Sequence, residues 1–253
     1  MQLTPQMFLI VCPLVALAGF VDSIAGGGGL ISLPAYYLAG LPASTAAGTN
    51  KLSACMGTAL ATYSYASSGK IEKRIGLCAG FAALLASVLG VAVMKSLSDQ
   101  AIRILVMCCL PVAAVFTLRG HAKARERKEF SDLQTTVIAL CIGLAIGFYD
   151  GLVGPGTGTF LILLFVQFFG LDDVTASGTA KVPNLMSNIA ALTSLFVTGD
   201  VLWLLGLPAG LCSMAGAALG SRLTIRKGSK FIRGMMFIVL ILLLVKLITD
   251  MLQ

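Results

Sequence analysis

From Ile75 to Met94 the chain runs twenty residues without a charged side chain. Such a run is apolar on every face, so no helical stripe can turn one side of it to water, and its length matches the roughly 20 residues that cross a ~30 Å hydrocarbon layer. Similar spans recur along the 253 residues, and only 11% of the chain is charged, against roughly a quarter in soluble domains. The sequence therefore specifies an all-α polytopic membrane helix bundle, in which each helix satisfies its own backbone.

The charge that remains is informative by position. The formal net charge is +7, but the basic residues gather in three short stretches between apolar spans: Lys70, Lys73 and Arg74; 119–128; and Arg222, Arg226, Lys227, Lys230 and Arg233. That pattern marks cytoplasmic loops of a multi-pass protein in a bacterial cytoplasmic membrane, with lipid as its surroundings and no nucleic-acid partner. The seven cysteines all lie in apolar segments and read as reduced thiols within spans. No metal or cofactor motif is present, and nothing specifies an oligomeric state. The first apolar segment, from Met7 to Ala25, follows no Lys or Arg and reads as a retained helix. Trp203 and Tyr36, Tyr37, Tyr63 and Tyr65 are expected at membrane interfaces or lining hairpins.

An internal repeat sets the architecture. GFVDSIAGGGG at 19–29 recurs as GFYDGLVGPGTG at 147–158, TAAGTNK at 45–51 as TASGTAK at 175–181, and GKIEKRIGL at 69–77 as GDVLWLLGL at 199–207. The offset is 128 residues at first and 130 later, so one two-residue insertion aligns all three blocks. The chain divides into a first membrane repeat at 1–119, a basic cytoplasmic linker at 120–132 and a second membrane repeat at 133–253. Each repeat predicts a helix (7–24; 133–152) ending in a glycine-rich break, and then a short apolar segment (30–40; 158–169) that cannot cross a bilayer at ~1.5 Å per residue. Three longer helices follow: 43–68, 74–95 and 99–118 in the first repeat, and 173–198, 201–221 and 231–252 in the second. The expected total is about eight membrane helices plus two short hairpin segments. With the basic loops inside, Leu41 and Asp200 lie outside while Gly69 and Ser131 lie inside. The two repeats are therefore inverted, provided each broken segment is re-entrant. Lys95 and Arg103 on the outer side, and Asp172 and Asp173 on the inner side, fit this topology least well.

Inverted repeats with helices interrupted at matching places characterise secondary transporters, whose substrate sites form where the breaks meet. The candidate breaks are Gly26, Gly27, Gly28 and Gly29, and Gly154, Gly156, Thr157, Gly158 and Thr159. Helix N-termini at such breaks attract anions; the structural alternative is close packing by small residues. Lys51 and Lys181 each lie about 13 Å into an apolar helix, where an ammonium serves an anionic substrate or pairs with a carboxylate. Asp22 and Asp150, beside the breaks, are either proton-coupling groups or the partners of those lysines. Ser177, Lys181, Asn184 and Asn188 fall on one helix face, while the first repeat offers Ala47, Lys51, Ala54 and Thr58 with Thr49 and Asn50 nearby. Thr179 completes the expected binding set. An asymmetric site for a small anion, worked by alternating access and coupled to protons, is the expectation. A passive anion channel is the alternative. An intramembrane enzyme fits worse, because no histidine, G-x-S-G or C-x-x-C lies in a span.

The run GFVDSIAGGGGLISLP followed by AAGTNK, with GFYDGLVGPGTG and SGTAKVPN in the second half, resembles the sulfite exporter TauE/SafE family, also called the toluene sulfonate uptake permease family. The resemblance covers essentially the whole chain. It implies secondary transport of small sulfur anions such as sulfite, sulfonates and sulfoacetate. Pro155 and Thr157 depart from the glycine run of the first half.

Overall fold

The computed structural model describes residues 3–98, 100, 101, 104, 105, 130–232, 234 and 235. The helices expected near 99–118 (Arg103 among them) and 231–252, and the basic stretch 119–128, fall largely outside the described residues. Among those residues there are eight helices and no strand: α1 (Pro5–Ala25), α2 (Gly29–Leu38), α3 (Ala43–Ser67), α4 (Lys73–Lys95), α5 (Asp132–Leu152), α6 (Thr157–Phe169), α7 (Asp173–Val197) and α8 (Trp203–Lys227). α1, α4, α5 and α8 are long and apolar enough to cross a membrane. α3 and α7 are as long, at 25 residues each, but carry the polar stripes that they bury. Along α4, Leu77, Phe81, Leu85 and Leu89 form an exposed stripe at i, i+4 spacing, an arrangement suited to hydrocarbon and not to water.

Local sequence explains the helix limits. α1 stops at Gly26, whose φ of 76° is left-handed and whose N–H donates to Asp22 O at 2.8 Å; only glycine adopts that conformation without strain. α5 starts from a reciprocal box in which the Ser131 hydroxyl accepts from the Gln134 N–H and the Gln134 side chain accepts from the Ser131 N–H. Asp172 caps α7 by accepting from the N–H groups of Val174 and Thr175, and Asp173 follows in the first turn. Two carboxylates on the expected inner side are thus helix-start residues. Lys95 is explained as well: it forms an ion pair with Asp200, joining the end of α4 to the loop before α8. One boundary differs from expectation. α8 runs six residues beyond 221, so Arg222, Arg226 and Lys227 belong to a helix, the last two in its final turn, where cations are favoured.

Helix directions follow from the glycines at contacts. A Cβ at Gly19, Gly216 or Gly220 would collide with Ser213, Ala16 and Ser23 respectively, so α1 and α8 run parallel. Gly48 against Asp200, Gly206 against Leu52 and Gly210 against Met56 make α3 parallel to α8 as well. In the same way Gly143 on Ala79, Gly147 on Ala83 and Gly151 on Ser87 set α5 parallel to α4, and Gly178 on Lys70 with Gly80 on Met186 set α7 parallel to α4. α3 and α7 run antiparallel, since Lys51 meets Asn188 while Tyr65 meets Ser177. Repeat-equivalent helices therefore point in opposite directions. Because α1 and α3 share one direction, the chain between them must turn back through α2, and α6 does the same between α5 and α7. The segments after the breaks are hairpin arms.

The repeats also interlock. α4 of the first packs on α5 and α7 of the second, while α8 of the second packs on α1 and α3 of the first. The same hydrogen bond fixes both crossings: the Leu202 N–H at the start of α8 donates to Thr49 Oγ1 at 3.0 Å, and the Glu72 N–H at the start of α4 donates to Thr179 Oγ1 at 2.9 Å.

Pro42 and Asp172 are exposed repeat equivalents at the starts of α3 and α7. Single cysteines at these positions, in a chain lacking its native cysteines, are expected to label with an impermeant thiol reagent from opposite sides of the membrane. Labelling of both from one side contradicts the inversion.

Candidate functional site

Where α1 and α5 end, the two breaks touch: Gly26 packs on the backbone of Gly158 and Thr159, and Gly29 on Pro155. Two lysines approach this junction from α3 and α7. Lys51 Nζ lies 2.7 Å from Asp150 Oδ2 and donates to Asn188 Oδ1 at 2.8 Å. Asp150 Oδ1 in turn accepts from Thr157 Oγ1 at 2.8 Å, at the first position of α6. Lys181 Nζ lies 3.1 Å from Asp22 Oδ2 and also donates to the Asp22 backbone oxygen. Asp22 Oδ1 accepts from the Gly28 N–H at 3.3 Å. Each lysine thus finds its carboxylate in the other repeat, and the two pairs are related by the sequence repeat. A buried ammonium without such a partner would carry several kcal/mol of desolvation, on the order of the penalty for any buried ion.

The polar residues divide into two groups. One seals the end of α1, whose last carbonyls have no helical N–H to accept from. Ser23 O accepts from Tyr65 Oη at 2.8 Å, Ile24 O from Ser177 Oγ at 2.9 Å and Ala25 O from Thr159 Oγ1 at 2.8 Å. Tyr65 and Tyr36 are fully buried hydrogen-bonding groups, Tyr36 in the hairpin arm α2, whereas Tyr63 is exposed.

The other group lines a cavity of about 50 Å³ at the junction of the breaks. From the expected set, Asp22, Gly26, Gly28, Gly29, Asn50 and Lys51 line it from the first repeat. Asp150, Gly154, Gly156, Thr157, Gly158, Asn184 and Asn188 line it from the second. Gly27, Thr49, Thr159, Ser177, Thr179 and Lys181 are not on its wall; the two threonines at 49 and 179 hold the repeats together, and Ser177, Thr159 and Lys181 cap α1. Asn188 Nδ2 donates to Asn184 Oδ1 at 3.2 Å, continuing the polar chain from Lys51. Asn50 Oδ1 is buried with no hydrogen-bond partner among the described residues.

Ser32, Ser53 and Ser213 also line the cavity and were not anticipated. Ser213 comes from α8, which the order of the chain does not bring to α1. The available signal was the glycine spacing of α8 (Gly206, Gly210, Gly216, Gly220), a mark of close helix approach.

These features define a multi-pass membrane protein of two inverted, interlocked repeats around an ion-paired polar cavity. The chain belongs to the sulfite exporter TauE/SafE family, whose model matches residues 11–247. It is 36% identical over 244 residues to the probable membrane transporter protein ORF9 of Sinorhizobium sp, covering 96% of this chain and 92% of the relative. It is 34% identical over 253 residues to the probable membrane transporter protein YfcA of Escherichia coli strain K12, covering 98% and 92%. The probable membrane transporter protein YdhB of Bacillus subtilis strain 168 is more distant, at 24% over 220 residues, covering 86% and 89%. No solved structure matches the chain.

Removing Lys181 strands the Asp22 carboxylate and uncaps α1. Lys181→Met is expected to lower stability by about 3–5 kcal/mol, the usual cost of halving a buried pair, seen as a reduced melting temperature in detergent. The double variant Lys181→Met/Asp22→Leu should recover part of the loss.

Proposed function

We propose that this chain is a secondary transporter that carries a small anion, sulfite or a compact organosulfur anion, by alternating access. The observation that carries this reading is the cavity where both helix breaks meet, walled by Lys51. The names of the relatives support transport, and the family description supports a sulfite-like cargo. Size supports the smaller members of that class: a cavity of about 150 Å³ takes a benzene ring, whereas this one measures about 50 Å³. It suits sulfite or a short sulfonate better than an aromatic one.

Inverted repeats supply the mechanism. Two halves of similar design and opposite direction can exchange conformations, so that the cavity opens first to one side and then to the other. Proton coupling fits the cavity-facing pair: a proton on Asp150 would release Lys51 to the incoming anion, and loss of that proton would restore the pair and expel it. Saturation separates this cycle from a passive channel, which would conduct without a limit set by substrate.

Radiolabelled sulfite should enter proteoliposomes holding the purified protein with saturable kinetics, and an inward proton gradient should accelerate it. Lys51→Gln should abolish both uptake and sulfite-dependent thermal stabilisation. Wild-type affinity in Lys51→Gln, or non-saturating conductance in the parent, would overturn the reading.

A further inference from the structure

Asp150 sits where an anion would sit. One carboxylate oxygen is 2.7 Å from Lys51 Nζ and the other accepts from Thr157 Oγ1 at 2.8 Å. Thr157 opens α6; its N–H donates to Gly154 O at 3.3 Å, and its hydroxyl is shared between Asp150 Oδ1 and Gly154 O, the latter at 2.7 Å. A cation and a hydroxyl on the two oxygens of one carboxylate form a filled anion site, and here the chain itself fills it. A second observation points to a ligand in the same space. Asn50, only 8% exposed, lines the cavity, and its Oδ1 has no partner among the described residues. Buried amides are nearly always hydrogen-bonded in folded proteins; Oδ1 only accepts, so it is the Nδ2 of this amide that can donate to an entering oxyanion.

The two ion pairs are not equivalent. Lys51 is on the cavity wall, and its other contact is the Asn188 side chain, which can turn. Lys181 is fully buried, off the wall, and tied a second time to a backbone oxygen of α1. The end of α1 is sealed further by Tyr65, Ser177 and Thr159. By the repeat, their equivalents are Leu195, Ala47 and Ile31, which have no polar side chain to offer the end of α5. Lys181 is fixed at the end of α1 whereas Lys51 faces the cavity, while both carboxylates, Asp22 and Asp150, line the wall.

We propose that Asp150 is the resident occupant of the substrate position. The ligand it stands in for is a singly charged oxyacid headgroup, carboxylate as well as sulfonate, that displaces it and takes over Lys51 and Thr157. This rests on reading the cavity as an anion site, and it adds small carboxylates to the ligands that the site accepts.

The test uses the full-length protein in detergent, with sodium formate and sodium methanesulfonate as probes and thermal melting and calorimetry as readouts. Asp150→Asn should melt below wild type without added anion, recover when either probe is present, and bind each at least tenfold more tightly than wild type. Asp22→Asn should show no such gain. If wild type binds methanesulfonate but Asp150→Asn binds it no more tightly, the displacement proposal falls and the anion-site reading stands. If no form of the protein binds sulfite, methanesulfonate or formate, both fall. Wild type alone gives a second measurement should Asp150→Asn not fold: methanesulfonate should shift an aspartate carboxylate band in the infrared difference spectrum, and binding without such a shift overturns the proposal.

Discussion

An ammonium group held in the middle of a membrane protein must meet a carboxylate there, because neither lipid nor an apolar helix can solvate it. In this chain that requirement joins the two repeats. Lys51 of the first reaches Asp150 of the second, and Lys181 of the second reaches Asp22 of the first. Neither repeat could bury its lysine alone. Broken helices add a second demand of the same kind, since a helix that stops within the bilayer leaves carbonyls without donors. For α1 the donors are again largely borrowed, from Ser177, Thr159 and Lys181 of the other repeat. The interlocking of α4 and α8 brings these groups into reach.

Symmetry supplies the frame and its violations supply the chemistry. The threonines at 49 and 179 make the same bond in both halves, and the glycines of α1, α5 and α8 allow the same close parallel contacts. Against that frame, Asn184 and Asn188 replace Ala54 and Thr58, and Thr157 replaces Gly29 at the start of the short helix. Each change adds a polar atom to the wall near Lys51. Lys51 thereby faces the cavity among groups that can exchange partners, while Lys181 is held at the end of α1.

Much of this was legible in the sequence. The repeat fixed the number and order of the described helices, and the glycine runs marked both breaks, because left-handed backbone at Gly26 and Gly156 admits little else. The lysine–aspartate pairs could be anticipated as alternatives to substrate contacts, since charge in lipid has few options. What the sequence did not reveal was which helix faces which. Ser177 and Thr159 look like site residues by type and position, yet they point at the carbonyls of α1; Ser213 looks like an ordinary small residue of a span, yet it reaches the cavity. Hydroxyl groups serve a helix end or a ligand equally well, and only tertiary packing decides between them.

Binding of a small oxyanion at the junction of the two breaks, in place of the Asp150 carboxylate, is open to direct observation. Selenite is a close analogue of sulfite and scatters anomalously, so a crystal of the wild-type protein soaked in it would report the anion directly. One dominant anomalous peak is expected within hydrogen-bond distance of Lys51 Nζ and Thr157 Oγ1, with Asp150 turned away. A selenite peak elsewhere, or one beside an unbroken Lys51–Asp150 pair, would contradict it.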